Sequence, residues 1–298
     1  MLIDIHVHTA EFAHEGPTRP NGETFATPAE LISMYDARDI RLGVILPSVN
    51  PECSHLLTTN EEALAVVERH PERFVTFCNL DPRFVSNSAD ADLAPLLQHY
   101  RARGCRGVGE VCANLAFDDP LVLNLFRHCE AAGMPLTFHV ATHRGGIYGL
   151  IDDLGLPRLE AALARFPGLT FLGHSQAFWS EISGDVTEET RGGYPPGPVV
   201  PGGRIVELMR RYLNLHGDLS AGSGYNAVSR DPEFGCAFLE EFQDRLYFGT
   251  DICAPTNETP LVGFLAGALR EGRLTKTAFD RIAWRNAARL LGLGLEGE

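Results

Sequence analysis

The amino-acid sequence predicts an α/β fold, a single (β/α)8 TIM barrel that occupies residues 1–298. Short apolar runs alternate with helical patterns along the chain, as expected when parallel strands are covered by helices. The length suits a barrel, which takes about 250 residues plus insertions. Several runs end in side chains that bind metals, and barrel active sites lie at the carboxyl ends of strands. A doubly wound open sheet is the alternative, but only a closed barrel brings the first and last strands together.

Eight apolar runs are rich in β-branched and aromatic residues and therefore predict strands. They lie at residues 2–8, 42–48, 74–80, 105–111, 135–141, 169–174, 214–219 and 245–250. Amphipathic segments between them predict helices over 28–38, 60–70, 118–132, 156–166 and 231–242. Thr27 is the expected cap of the first helix, since Pro28 suits the first helical position.

Two connections are too long to be simple turns. Residues 9–27 follow the first strand, and residues 175–203 follow the sixth. The second connection is rich in glycine and proline between Gly192 and Pro198, which argues against a regular element across its middle. A long loop above the catalytic end is a candidate lid or oligomer contact. Residues 276–293 predict a C-terminal helix that seals the exterior of the barrel.

Composition restricts the class of protein. Hydrophobic residues make up 44% of the chain, enough for a sizeable core, yet no run approaches the roughly 18 apolar residues of a membrane span. The first residues form a strand that carries two histidines and do not resemble a signal peptide, so we expect a cytoplasmic protein. The net charge of −14 argues against a nucleic-acid partner. The seven scattered cysteines form no CxxC pair and predict neither structural disulfides nor cysteine-ligated zinc.

The pair His6-Val-His8 ends the first predicted strand. Alternate residues of a strand face the same side, about 6.6 Å apart, which suits two ligands of one ion. Buried imidazoles without partners are also costly. His139 and His174 end the fifth and sixth strands. Each alone could be a core histidine bonded to the backbone, but beside the first pair they predict a metal site.

Two carboxylates add to this pattern. Asp251 follows the eighth strand, where it either caps a helix or binds the metal and removes a proton from water. Glu110 ends the fourth strand and could bridge a second metal, hydrogen-bond a ligand histidine or pair with an arginine. This residue decides between one ion and two. Imidazoles and carboxylates together indicate one or two divalent ions, with Zn²⁺ expected first.

Three further residues are candidates for substrate binding. Arg144 follows the fifth strand, where it could hold a substrate carboxylate through two hydrogen bonds or be a solvated loop residue. Trp179 and Tyr225 follow the sixth and seventh strands and could line a pocket. Aromatic residues beside a long loop equally serve to pin that loop.

The motifs resemble those of the amidohydrolase superfamily, specifically the amidohydrolase-2 branch with its aminocarboxymuconate semialdehyde decarboxylase-like members. The resemblance runs from Asp4-Ile-His-Val-His8 to Asn286-Ala-Ala-Arg-Leu-Leu and includes Phe138-His139, Gly173-His174-Ser175 and Phe248-Gly-Thr-Asp251. It implies a (β/α)8 barrel whose divalent ion, usually zinc, is bound by four residues, with His174 binding a second ion or polarising the substrate. Those four ligands are His6, His8, His139 and Asp251.

One departure from the superfamily pattern concerns the fourth strand. We see no lysine of the kind that is carbamylated in many binuclear members. Glu110 stands there instead, as in the TatD-like deoxyribonucleases, which suggests a bridging carboxylate. The acidic composition weakens a nuclease interpretation.

Three functions fit these observations. The first is a metal-dependent hydrolase of a small amide, lactone or ester, with Asp251 moving the proton and His174 stabilising the oxyanion. The second is a metal-assisted, non-oxidative decarboxylase of an unsaturated or aromatic acid, with Arg144 binding the carboxylate. The third is a non-catalytic barrel, disfavoured because structural zinc sites are closed and four-coordinate. The expected partner is a small-molecule substrate, and a homo-oligomer is left open.

Overall fold

The computed structural model describes residues 1–52, 55–145 and 147–295. All strand pairs are parallel and form two arcs, β1-β2-β3 and β4-β5-β7-β8-β9, with the short strand β6 beside β5. The strands are β1 (Leu2–Val7), β2 (Ile40–Ile45), β3 (Phe74–Thr76), β4 (Val108–Val111), β5 (Leu136–Ala141), β6 (Leu150–Ile151), β7 (Phe171–His174), β8 (Leu215–Asp218) and β9 (Leu246–Tyr247).

Backbone contacts join the two arcs into a closed barrel. Cys78 pairs with Val108 at one seam, and Val7 pairs with Ile252 at the other. At the second seam the amide of Asp251 donates to the carbonyl of His6 over 2.8 Å. The first and last strands are therefore neighbours, which confirms the predicted (β/α)8 barrel and excludes an open sheet.

All eight predicted strands form, but most end earlier than predicted. At the carboxyl ends of the strands, hydrogen bonds from side chains take the place of backbone hydrogen bonds between strands. Asn79 is an example, because its amide nitrogen donates to the carbonyls of Pro47 and Glu110, each over 2.7 Å. One additional strand, β6, was not predicted. It is only two residues long, and so short a segment shows no periodicity.

Helices cover the outside of the barrel, and the predicted first helix begins as expected. Thr27 caps α1 through a reciprocal capping box with Glu30, and Pro28 is its first residue. The helices up to β9 are α1 (Pro28–Asp36), α2 (Asn60–Arg69), α3 (Ala94–Ala102), α4 (Pro120–Ala132), α5 (Pro157–Arg165), α6 (Gln176–Trp179), α7 (Arg204–Arg211), α8 (Ala221–Ser229) and α9 (Pro232–Glu241). Among the described residues, no helix has the length and apolar character needed to span a bilayer.

The C-terminal region is helical, as predicted, but in several segments. After α10 (Pro260–Arg270) come α11 (Lys276–Asp280), a π-helical turn (Arg281–Arg285) and α12 (Asn286–Leu291). The carbonyl of Ile282 accepts a hydrogen bond from the amide of Phe248, 2.9 Å away. Asn286 also donates to the carbonyl of Leu246 over 2.9 Å. The helical region thus seals the end of the barrel by hydrogen bonds to the backbone of the last strand and of the residue after it.

The long connection at 175–203 begins with α6 and a 3-10 turn (Ser180–Ile182), and its middle has no regular element, as predicted. Arg191 anchors it from a fully buried position. The guanidinium donates to the carbonyl of Asp152 over 2.9 Å and lies 2.9 Å from an Oε of Glu181. The buried ion pair therefore ties the middle of this connection to its own first turn, and the hydrogen bond to Asp152 joins it to the segment after β6.

Replacing this arginine tests the anchor. Arg191→Ala removes the cation that pairs with the buried Glu181 carboxylate and leaves that group only the amide of Gly155, so we expect the free energy of unfolding to fall by about 3–5 kcal/mol in urea titrations. The control is Arg210→Ala, which breaks the exposed ion pair with Glu241 and should cost less than about 1 kcal/mol. Equal losses in the two variants would contradict the anchoring role.

A half-buried histidine in β8 predicts a pH-dependent stability. Burial, helped by the charge of Arg245, lowers the pKa of His216 to about 4, and its Nδ1 lies 2.8 Å from the Tyr247 hydroxyl. As the pH falls from about 6.5 to about 4, the unfolded chain binds this proton before the folded chain does. Stability should fall over that range by up to about 3 kcal/mol.

Urea unfolding across this pH range checks the expectation. His216→Gln should flatten the pH dependence of the unfolding free energy relative to the parent protein. His99→Gln, on an exposed position of α3, is the control and should leave the slope unchanged. A parent slope retained in His216→Gln would show that another group is responsible.

Candidate metal centre

The histidine pair on β1 presents both Nε2 atoms to one point. The two Nε2 atoms lie 3.0 Å apart. Their other ring nitrogens are already engaged: Nδ1 of His6 lies 2.6 Å from a carboxylate oxygen of Asp218, and Nδ1 of His8 lies 2.8 Å from the carbonyl of Leu46. These contacts leave each Nε2 free as a ligand atom.

Four further side chains converge on the same point from other strands. A carboxylate oxygen of Glu110 lies 3.6 Å from the Nε2 of His6, and one of Asp251 lies 3.4 Å from the Nε2 of His8. The Nε2 of His174 lies 3.8 Å from the second oxygen of Asp251. Donor atoms fall within 4.8 Å of one another in three overlapping triplets. The triplets are His6, His8 and Glu110; His6, His174 and Asp251; and Glu110, His139 and His174.

A buried carboxylate on β1 aligns the two ends of the chain at this site. Asp4 accepts hydrogen bonds from the amides of His6 and Thr250, at 3.0 and 2.9 Å, and from the hydroxyl of Tyr35 at 2.7 Å. The hydroxyl of Thr250 also donates to it over 2.5 Å. Asp4 therefore holds the segment before Asp251 against the strand that carries the histidine pair.

The centre is buried, and its charges depend on one another. Burial disfavours a charged His6, but the carboxylates of Asp218 and Asp251 raise its pKa well above the ordinary value. Burial also opposes ionisation of Asp251, yet the nearby histidines lower the pKa of that carboxyl to about 2. For His139, burial lowers the pKa to about 4. At neutral pH the centre therefore offers an ionised carboxylate and a neutral imidazole, both in the form that binds metals.

Two buried polar atoms at the centre lack a hydrogen-bond partner among the described residues: an Oε atom of Glu110 and the Nδ1 of His139. An unpartnered buried acceptor costs about 1–3 kcal/mol. A cation at the convergence point would give the Glu110 oxygen a partner and neutralise the crowded carboxylates. The donor set, with imidazoles and carboxylates and no thiolate, suits zinc or a neighbouring divalent ion.

The centre opens into a cleft of about 480 Å³. Of the six convergent residues, only Asp251 is not buried, and its side chain is about 25% exposed. The loop after β1 supplies Arg19 and Phe25 to the cleft, and the loop after β5 supplies Tyr148. These three residues could not be identified from the sequence, because irregular loops carry no periodicity from which an inward side chain can be predicted.

The three residues predicted to bind substrate do not line this cleft. Trp179 is buried, and its indole nitrogen donates to the carbonyl of Asp218 over 2.8 Å, so it supports the site from behind. Tyr225 packs edge-on against Phe264 in the helical layer. Arg144 is exposed on its loop. These positions match the alternative interpretations, in which Arg144 is a solvated loop residue and the two aromatic side chains have a packing role.

Asp4 and Asp218 are positioning residues that the sequence analysis missed, although a signal was present. Asp4, like His6 and His8, occupies an even-numbered position, and alternate residues of a strand face the same side, so all three side chains lie on one face. Asp218 is a polar residue at the end of a strand, like the residues that were identified. His174 has its own support, because the hydroxyl of Ser220 lies 3.0 Å from its Nδ1.

Comparisons with known proteins agree with this architecture. Solved structures that cover 98% of this chain include an uncharacterised TIM-barrel protein from Bordetella bronchiseptica, at 19% identity, 98% of its own length and a TM-score of 0.63. Another is a probable 2-pyrone-4,6-dicarboxylic acid hydrolase from Acinetobacter baumannii, at 16% identity, 99% of its length and a TM-score of 0.59. A third is 5-carboxyvanillate decarboxylase LigW from Sphingomonas paucimobilis, at 17% identity, 98% of its length and a TM-score of 0.60.

At these identities the likeness to solved structures establishes the fold alone. No functionally curated protein matches the sequence significantly. The Amidohydro_2 family model, described as amidohydrolase, matches residues 3–293, nearly the whole chain. The protein is therefore a member of the amidohydrolase-2 family.

Proposed function

We propose that this protein is a metal-dependent hydrolase that cleaves a small amide, lactone or ester. The observation that carries the proposal is the convergence of six donor side chains at the base of an open cleft, with Asp251 accessible from that cleft. Structural zinc sites are closed by four ligands and have no reason to face a cavity. An open, donor-rich site is the arrangement expected of a catalytic centre.

His6, His8, His139 and Asp251 would hold one divalent ion, for which Zn²⁺ is our first candidate. Glu110 and His174 extend the donor set and would allow a second ion. When bound, such an ion supplies Lewis acidity, which lowers the pKa of a coordinated water and polarises a substrate carbonyl. The neutral state of His139 and the unpartnered oxygen of Glu110 support this assignment.

Proton transfer falls to Asp251 in this proposal. Its carboxylate is ionised because the surrounding histidines lower its pKa, so it can accept the proton of the attacking water. It then returns that proton to the leaving group as the tetrahedral species collapses. Its exposure to the cleft gives both reacting groups access to its oxygens.

His174 is suited to stabilise the negative charge that develops on the carbonyl oxygen. The Ser220 hydroxyl can donate to its Nδ1, which places the ring proton on Nε2. That Nε2 lies on the side of Glu110 and Asp251 and can donate to a substrate oxygen. With two ions bound, His174 would act as a ligand of the second ion instead.

The second candidate is metal-assisted decarboxylation of an unsaturated or aromatic acid. It is favoured by the similarity in fold to 5-carboxyvanillate decarboxylase. Decarboxylation requires a proton donor to the carbon that loses carbon dioxide, whereas an ionised Asp251 is a proton acceptor. We therefore rank hydrolysis first. The small-molecule partner, the cytoplasmic location and the homo-oligomer remain predictions.

Metal removal and one substitution test the proposed function. Chelation should abolish hydrolysis of a panel of lactones, esters and amides, and added Zn²⁺ or Mn²⁺ should restore it. In the metal-loaded protein, Asp251→Asn should lower kcat/KM by about 10²–10⁴-fold, because the general base is lost. Asp118→Asn, on an exposed residue, is the control. Acid release and carbon dioxide release are followed side by side.

Three results would contradict the proposal in distinct ways. Full activity after exhaustive chelation would remove the metal from the reaction. Carbon dioxide release without hydrolysis would favour the decarboxylase. Wild-type kcat/KM in Asp251→Asn would exclude this residue as the general base.

Two metal equivalents per chain would support the bridging role of Glu110, and one would support a mononuclear centre.

The support given by Asp218 generates a separate prediction. Its carboxylate fixes the Nδ1 proton of His6, so Asp218→Asn should weaken metal binding by about 10–100-fold. Competition with a chromogenic chelator measures the affinity. Asp152→Asn is the matched control, because Asp152 is equally buried and accepts the amide of Leu159 over 2.8 Å, away from the centre. Equal weakening in both variants would point to general destabilisation.

A further inference from the structure

A residue directly beside the candidate ligands carries backbone strain. Ser175 follows His174 at the end of β7 and has a φ of 119° and a ψ of 168°. This conformation belongs almost exclusively to glycine and is unfavourable for a residue with a Cβ. Ser175 is also fully buried. Because glycine would adopt this backbone without strain, the side chain of Ser175 must supply something that glycine lacks.

The hydroxyl of Ser175 supplies two hydrogen bonds. Its oxygen accepts the amide of Val140 over 3.2 Å and the amide of Phe178 over 3.1 Å. Val140 directly follows His139 on β5, and Phe178 belongs to α6. One oxygen atom therefore joins three segments, which are the end of β5, the end of β7 and the helix that follows it.

The bond to Val140 lies beside two of the candidate ligands. His139 and His174 are partners in the register of β5 and β7, and their ring centres are 5.7 Å apart. Both belong to the donor triplet that includes Glu110. Immediately past this pair, the hydroxyl of Ser175 connects β7 to the next amide of β5. The hydroxyl thus fixes the spacing of the two strands at the level of the two imidazoles.

The bond to Phe178 caps the first turn of α6. Trp179, the last residue of that helix, donates from its indole nitrogen to the carbonyl of Asp218 over 2.8 Å. The carboxylate of Asp218 in turn lies 2.6 Å from the Nδ1 of His6. Through α6, Ser175 is therefore also connected to the residue that supports a third candidate ligand.

We propose that Ser175 is a positioning residue, which uses a strained backbone and one buried hydroxyl to set the distance between His139 and His174. Correct spacing keeps both imidazoles directed at the centre and raises its affinity for a divalent ion. In this role Ser175 contacts neither the ion nor the substrate. The inference rests on the proposed function, since its consequence is the binding of metal.

The strain itself has a physical reason at this position. A strained backbone persists only where the surrounding structure holds the residue in place. Here the hydroxyl accepts two amides, and the carbonyl of Ser175 accepts the amide of Trp179 over 3.0 Å. Loss of the hydroxyl would let the chain after His174 relax and would move that imidazole relative to ligands on other strands. Ligands that lose such support bind metal more weakly.

Two substitutions separate the hydroxyl from the strain. Ser175→Ala removes both hydrogen bonds and keeps the unfavourable backbone, whereas Ser175→Gly removes the same bonds and relieves the strain. Urea titrations in the presence of a chelator, which removes the effect of bound metal on stability, should give the alanine variant a lower unfolding midpoint than the glycine variant. Zinc affinity, measured by competition with a chromogenic chelator, should fall by about 10–100-fold in both.

A spectroscopic readout distinguishes positioning from stability. The visible absorption of cobalt-loaded protein depends on the geometry of the ligands, so both variants should show a changed spectrum. Thr275→Ala is the control, because the exposed Thr275 accepts the amide of Ala278 over 3.2 Å and caps α11. This substitution should lower the unfolding midpoint and leave zinc affinity and the cobalt spectrum unchanged.

Three results would overturn the proposal. They are parent zinc affinity with an unchanged cobalt spectrum in Ser175→Gly, a loss of zinc affinity in Thr275→Ala equal to that in Ser175→Ala, and a glycine midpoint at or below the alanine midpoint. A parent protein that binds no zinc would reject the proposed function as well. Binding of zinc that depends on Ser175, without hydrolysis of any substrate, would reject the proposed reaction and retain the positioning role.

Discussion

Closure of the barrel places the first strand beside the segment that follows the last one. The histidine pair lies at one end of the chain and Asp251 near the other, and only the seam between β1 and the segment after β9 makes them neighbours. Asp4 stabilises this seam, because one buried carboxylate accepts hydrogen bonds from both sides of it. Backbone closure and side-chain chemistry thus meet at the same residues, so a local change at the seam would alter the candidate site directly.

The candidate centre concentrates groups that repel one another when no cation is present. Carboxylates of Glu110, Asp218 and Asp251 surround His6; the first two are buried, and Asp251 is partly exposed to the cleft. Their mutual arrangement raises the pKa of His6 and lowers that of Asp251. Such an arrangement is unfavourable for a folded core and favourable for binding a divalent ion. The arrangement of these charges therefore gives a physical reason for the site to bind a cation.

The sequence was most informative where periodicity and residue chemistry coincide. Apolar runs predicted the eight strands, and Thr27 before Pro28 predicted the capped first helix. The His6-x-His8 pair, with the later motifs, indicated the family. The six donors were named from their positions at strand ends, and the structure brings all six together. That they bind metal stays a prediction, since proximity alone does not establish coordination.

Loops and supporting residues were harder to predict for physical reasons. Arg19, Phe25 and Tyr148 reach the cleft from irregular segments, where neither helical nor strand periodicity determines the direction of a side chain. Trp179 was considered for the pocket because it follows a strand, but its large apolar surface is better buried in the helical layer. Arg144 also follows a strand, yet its loop carries it to the surface. Position after a strand therefore indicates a site only when the side chain faces the barrel axis.

The most direct measurement is anomalous diffraction at the zinc absorption edge from crystals of the zinc-loaded protein. We expect a strong peak between the Nε2 atoms of His6 and His8, within bonding distance of His139 and Asp251. A second peak beside Glu110 and His174 would identify a binuclear centre. Absence of any peak at this point in fully loaded protein, or zinc bound only at other residues, would show that these side chains do not form a metal centre.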